Sequence, residues 1–506
     1  MPDTPEPART SDAVLASAAR GIWAWGLPAA TALVTAPILA RGLGAEGFAT
    51  YALATAYIGF STSLGIGRAV VREISHPDGV VSARHRRDVA STGLWLSAAV
   101  GALMAAALAA GAGSIVRAAA GEVAREAPAL RWAALGAIPA SIAQVALAIL
   151  QGVGRWDLFA RLSVAAALAT SAGAAAFAWS GAGPDTVVLW VIGVSALLAA
   201  ASVVTAGAVV GGRLGLPTMR AATALGRLGS LVFGTQLVVA LWVLAERVMV
   251  SRVLGPLALT AYVITLMLGA YLQAAVTAAA QVLTPYANRA SGPGSHVALQ
   301  QLYARASMGI AVLCTIGAAT IAGAGRTFLD VWMGADIAAA AAPAVVALAV
   351  AFGINGVTTA PWFVGEGLGL QRHNLVASMC AAAIGLAALA ALSPIWGMAG
   401  AGVARVAAMA LAPVYIRAME RAVTPVLHGP WRTVVVRLVP LGVALAAALS
   451  GALEVTGPSW AALVMVCLTG WAAFAAVSWR TAIDDADRMA LAHWLQRARL
   501  LLPRVR

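Results

Sequence analysis

The chain has no lysine. All 33 of its basic residues are arginine, which, beside so much alanine and glycine, is a mark of base composition more than of chemistry. Charge of either sign is scarce, at 10% of residues, against about 25% in an ordinary soluble domain. Only three cysteines occur, Cys314, Cys380 and Cys467, each inside an apolar stretch and none in a C-x-x-C or Cys/His pairing. No disulfide frame, redox pair or structural zinc site follows from them, and they read as small packing residues. There is no G-x-x-x-x-G-K-[ST] and no H-E-x-x-H, and the six histidines are scattered. GVGRWD at 152–157 is a glycine-bearing helix end and not a phosphate loop. These absences exclude a P-loop nucleotide site and zincin chemistry; no cofactor is expected.

What is present is apolar. Hydrophobic residues make up 61% of 506, and the mean hydropathy is +0.86. No soluble core hides that much apolar surface, whereas a bilayer does, in helices of about 20 residues. The pattern predicts an all-α polytopic membrane protein of about fourteen spans. They lie near 21–40, 48–71, 90–116, 130–151, 162–180, 187–210, 229–251, 257–284, 305–324, 341–364, 374–392, 396–416, 434–453 and 460–479. The first is long and lacks a small-residue cleavage site, so it reads as a retained helix.

The net charge of +13 does not mark a nucleic-acid binder, because the arginines are spread over loops with no basic domain to hold them. They fall mostly in alternate loops. With both termini in the cytoplasm, 24 of the 33 lie on the inner side, as the positive-inside rule requires; the expected location is the cytoplasmic membrane. The tail beyond residue 480 alternates Asp484, Asp485 and Asp487 with later arginines and apolar Met489, Leu491, Trp494 and Leu495. It reads either as an amphipathic helix on the inner leaflet or as a solvated basic tail.

A long-period repeat sets the architecture. ARGLGAEGFATY (40–51) matches SRVLGPLALTAY (251–262) at Arg41/Arg252, Leu43/Leu254, Gly44/Gly255 and Tyr51/Tyr262. GRWDLFA (154–160) matches QRHNLVA (371–377) at Arg155/Arg372, Leu158/Leu375 and Ala160/Ala377. The two offsets, 211 and 217, each span six expected helices. An even number gives both halves the same membrane topology, the parallel-repeat class of transporter. The expected organisation is a lobe of six helices over 1–227, a second over 228–421, two extra helices over 422–480, and the tail at 481–506.

Ionisable residues inside spans are costly and are functional candidates by default. Arg405 lies mid-span among small residues, either lining a cavity or pairing with a carboxylate such as Glu246 or Glu366. Arg247 lies near the outer end of its span, where snorkelling or an intramolecular pair competes with substrate contact. Glu246 and Arg247 are adjacent, so they point about 100° apart and are not natural partners. Arg68, one turn from Arg72, is either a topological anchor or a first contact for a phosphate group, which a guanidinium fork matches well. Glu366, between Gly365 and Gly367, reads as an interface residue or as an ion-coupling one, as does Glu246. Gln144, Gln236, Gln273, Gln281 and Asn355 supply uncharged donors and acceptors within spans, for a cavity or for helix packing.

The segments ARGLGAEGFATYALA, LGIGRAVVREIS and AERVMVSRVLGPLALTAY resemble the polysaccharide transport (Wzx-type) flippases, of the superfamily that includes MATE multidrug exporters and the lipid II flippase MurJ. The resemblance covers most of the first twelve helices. Many members carry an acidic-basic pair in helix 7, here Glu246-Arg247. It implies a flippase, not an enzyme, that moves an undecaprenyl-diphosphate-linked oligosaccharide by alternating access. Arg405, Arg247, Arg68 and Arg41 would meet the substrate, and membrane lipids and other polysaccharide-assembly proteins would be its partners. A MurJ-like chain would carry several arginines around a Ser-Arg turn in helices 1 and 2. Here the turn reads Ala40-Arg41, which favours a glycan other than lipid II. A cation-coupled multidrug exporter of the same fold is the first alternative; helices 1 to 6 hold no mid-depth acid to serve one. A membrane glycan polymerase or ligase is the second, but the external loop near 117–129 is short and has no histidine.

Overall fold

The computed structural model describes residues 31–481 except 45, 57, 60–64, 75–81, 121–127, 213–214, 281–282, 284–286, 288–295 and 424–428. Residues 21–30 of the first expected span and the tail beyond 481 lie outside the described residues. The described residues are helical throughout, with no strand among them. The helices run α1 (Thr31–Gly44), α2 (Ile66–Ile74), α3 (Ala83–Ala120), α4 (Pro128–Gly152), α5 (Trp156–Trp179), α6 (Pro184–Val210), α7 (Met219–Leu254), α8 (Pro256–Ala280), α9 (His296–Met333), α10 (Ala335–Val357), α11 (Thr359–Gly367), α12 (Gln371–Ala408), α13 (Ala412–Val423), α14 (Val439–Thr456) and α15 (Trp460–Thr481). Residues 46–56 are also helical.

Among the described residues, ten helices are long and apolar enough to cross a membrane, or eleven when the bent α7 is one span. The expected count is larger for two reasons. The first two expected spans are described only in part. The stretch Gln371–Ala422, 52 residues long, holds two expected spans. As one helix it would measure about 78 Å, more than twice the hydrocarbon thickness. It doubles back at Gly397, whose φ of 58° and ψ of −132° lie where only glycine is at ease. A Cβ on Gly400 would strike the Leu392 carbonyl oxygen at 2.3 Å, which is how tightly the two arms meet.

Two polar ends follow from the chain order. One holds the turns at 153–155, 211–212 and 368–370 and the segment 215–218, and is rich in arginine. The other holds the turns near 44, 181–183, 255, 334 and 397. Gly44 (φ 68°) and Gly255 (φ 91°) are both left-handed, so the matched Leu-Gly pair of the repeat is one helix-ending device used twice.

Each lobe has its own core at the Arg-rich end. In the first lobe Val70, Val89, Ile149 and Phe159 pack together, joined by Ala221 and Leu225 from the start of α7. In the second, Val276, Tyr303, Ile310 and Phe363 do so. Helix α7 thus begins on the first lobe and continues into the second, with a bend of 56° between Gly226 and Gly229. At the opposite end one apolar cluster runs through both lobes, joining Ala52, Ala133 and Val188 to Tyr262, Leu329 and Leu348. Helices α14 and α15 pack outside, on α9: Leu445 and Leu449 meet Ala311 and Ala319, and the Trp471 indole donates to Thr320 Oγ1 at 2.9 Å.

Candidate functional site

A cavity of about 300 Å³ opens in the bundle. Among the described residues its walls come from α7, α8, α10, α11, α12 and α13, and Arg68 is the one lining residue from the first lobe. Of the eleven candidate residues, five line it: Arg68, Gln236, Gln273, Asn355 and Arg405; Gln281 lies outside the described residues.

Arg405 forms the closed wall. It reaches the cavity because it lies on the returning arm after Gly397, where Gly400 and Gly402 let that arm pack against its neighbours: a Cβ on Gly402 would come within 3.1 Å of Ala344 Cα. Its Nη1 donates to both oxygens of Glu246, at 3.0 and 2.8 Å. Its guanidinium lies 4.1 Å from the Trp242 ring centroid and 5.7 Å from that of Phe352. Glu246, 4% exposed, also accepts from the Tyr262 hydroxyl at 2.7 Å. With these donors around it, the buried Glu246 carboxylate holds its partner in one place. Only Nη1 is committed to it, which leaves Arg405 further donors at the cavity.

Neutral groups form a fixed network on the side wall. Asn355 Nδ2 donates to Gln273 Oε1 at 2.9 Å, and Gln273 Nε2 donates to Thr359 Oγ1 at 3.0 Å. α10 ends at Val357 and α11 starts at Thr359, so Asn355 and Thr359 face α8 from either side of a helix break.

Arg68 stands at the Arg-rich mouth. Its Nη1 forms an ion pair with Glu366 Oε1, joining the two lobes, and its guanidinium lies 5.9 Å from the Phe363 ring centroid. Glu366 is held from its own helix by the Trp362 indole, at 3.0 Å. Glu366 does not line the main cavity; it borders a smaller crevice shared with Arg68, Gln236, Trp362 and Asn374.

The other candidates lie elsewhere. Arg247 donates to the carbonyl of Ala52 across the lobe boundary, the intramolecular alternative for that residue. Arg41 is exposed at the far end, with Nη2 3.4 Å from the Trp332 carbonyl oxygen. Gln144 is exposed on α4 and does not border the cavity. The three cysteines are free and helical, Cys314 buried, and no group of three or more metal-ligating side chains occurs among the described residues.

Sequence reasoning missed the aromatic walls: Trp242, Phe352, Trp362, Phe363 and Tyr415. Their signal was available, since all lie in or beside the spans that carry Arg405, Gln273 and Asn355. An aromatic residue in an apolar span, however, is packing by default.

A family profile described as "Polysaccharide biosynthesis protein" matches residues 24–291, more than half of the chain. No curated protein matches. Among solved structures, the lipid II flippase MurJ in an inward closed conformation aligns with a TM-score of 0.67 at 10% identity, covering 93% of this chain and 98% of that one. A MOP superfamily transporter from Pyrococcus furiosus aligns at 0.65 and 16%, covering 82% and 96%. An inward-facing multidrug resistance MATE family transporter of the same superfamily aligns at 0.61 and 16%, covering 80% and 98%. At these identities the likeness is one of fold.

Proposed function

The chain belongs to the polysaccharide biosynthesis protein family, and on that premise we propose that its cargo is a saccharide joined through diphosphate to a polyprenol such as undecaprenol. The family and the fold are of flippase and transporter type, not of catalysts, and the helices make it a multi-pass membrane protein. The cargo is taken up at the Arg-rich end, which faces the cytoplasm under the positive-inside rule, in the cytoplasmic membrane. Phosphate oxygens meet Arg68 at the mouth. The sugar enters among Gln236, Gln273 and Asn355, with Arg405 donating from the closed wall and the Trp362 ring alongside. The lipid chain stays in the bilayer. Tilting of the lobes then turns the cavity to the other face.

One observation carries this reading: fixed neutral amides and hydroxyls behind a mouth that bears an arginine. Hydroxyl-rich rings need many short hydrogen bonds from groups already held in place. A diphosphate needs a guanidinium. A cation-coupled drug exporter would need a carboxylate free to bind its cargo, and both Glu246 and Glu366 are paired with arginine. The test is translocation of a fluorescent polyprenyl-diphosphate saccharide in proteoliposomes. Transfer above that of empty vesicles, lost in Gln273→Ala and Arg68→Ala, supports the reading. Transfer equal to empty vesicles refutes it.

A further inference from the structure

We propose that the Arg68–Glu366 pair is a latch between the lobes, and that the anionic headgroup opens it by taking Arg68 from Glu366. The inference rests on the diphosphate reading above and adds to it how cargo arrival is linked to lobe movement.

The two ends of the lobe boundary are closed by different physics. At the far end the closure is the apolar cluster shared by both lobes. It is reinforced where the Trp332 indole donates to the Leu33 carbonyl at 2.9 Å and Arg247 donates to that of Ala52. Parting those surfaces exposes apolar area and leaves buried polar groups unpaired. At the Arg-rich end each lobe keeps a separate core; what crosses between them is the narrow packing of α2 on α7, at Gly65 and Val232, and an ion pair. The Arg68 side chain is 42% exposed; an ion pair this open is easily exchanged for another anion. The Arg-rich end therefore yields first.

The placement of the two charges says what makes it yield. Arg68 borders both the main cavity and the small crevice, whereas Glu366 borders the crevice alone. An anion in the cavity meets the arginine without meeting the carboxylate. Glu366 does not depend on Arg68 for its position, because the Trp362 indole holds it from one turn away. Once Arg68 turns to a phosphate, the carboxylate stays with the second lobe and the arginine with the first. A diphosphate offers several oxygens to the guanidinium fork, where Glu366 engages one nitrogen, so the exchange favours the cargo. An uncharged saccharide has no means of making it.

Spin labels report the movement directly. Arg155→Cys and Arg372→Cys, in a chain whose three cysteines are replaced by serine or alanine, place one exposed label on each lobe at the Arg-rich end. Pulsed electron resonance measures their separation in nanodiscs. Inorganic pyrophosphate is expected to shift the distribution to longer distances, and an uncharged methyl glycoside at equal concentration to leave it in place. Glu366→Gln is expected to give the longer distances with no anion present. The exchange Arg68→Glu with Glu366→Arg is expected to restore the short ones, which also shows that the variants fold. If Glu366→Gln keeps the unliganded distribution, or pyrophosphate leaves the parent distribution unchanged, the latch is overturned. If the latch behaves as described while no polyprenyl-diphosphate saccharide is translocated, the cargo assignment fails and the latch stands.

Discussion

Replacing Glu246 with leucine is the severest single test of the cavity's closed wall. The Glu246 side chain is 5% exposed and that of Arg405 15%, and Arg405 meets water only through the cavity. Removing one member of a buried pair costs about 3–5 kcal/mol, because the other is left charged and uncompensated. The stack on Trp242 survives the substitution and keeps the loss from Arg405 near the lower figure. The fully buried Tyr262 then loses its acceptor, which adds about 1–3 kcal/mol. Glu246→Leu should therefore cost about 4 kcal/mol or more by these two contributions. Glu246→Leu with Arg405→Met should recover most of it, since apolar residues of similar volume replace a buried pair at little cost. Unfolding in mixed micelles, followed by tryptophan fluorescence for the parent, both singles and the double, gives the coupling energy. A loss under about 0.5 kcal/mol for Glu246→Leu alone, or singles that simply add, would show that the wall does not depend on this pair.

Three further outcomes follow from close contacts in the structure. Gly269→Ala would place a Cβ 2.0 Å from Phe352 Cδ2; the ring must move, so stability should fall by about 1–3 kcal/mol and cargo affinity in a binding titration should change with it. Gly65→Ala, at a φ of 70° and 3.0 Å from the Phe233 backbone nitrogen, should cost about 1–3 kcal/mol and shift thermal unfolding down, because no rotamer relieves a backbone contact. Gln273→Leu strands the Asn355 amide and takes one partner from the Thr359 hydroxyl, which keeps the Asn355 carbonyl; a loss of about 1–3 kcal/mol is expected in the same unfolding assay, with transport falling further than in the isosteric Gln273→Glu.

The sequence carried the architecture well, and the reason is physical. Lipid leaves only helices of a fixed length as solutions, so runs such as 187–210 and 460–479 fall on α6 and α15 almost to the residue. The repeat was legible because Gly44 and Gly255 are needed for a left-handed turn. The pairing of Arg405 with a carboxylate was one of two stated readings, and the cavity shows both at once. What could not be read was distance across the fold. Nothing in the chain order ties Arg68 to Glu366, 298 positions away, or aims Arg247 at Ala52. Equally hidden was the placement of almost every cavity group in one half, since both halves share the same pattern of spans.

That imbalance decides how cargo would travel. Among the described residues, one half supplies the vessel and the other its door frame. If the halves swing as proposed, a passenger seated there is carried along with the wall that holds it. Among the described residues, the one lining group it would leave behind is Arg68.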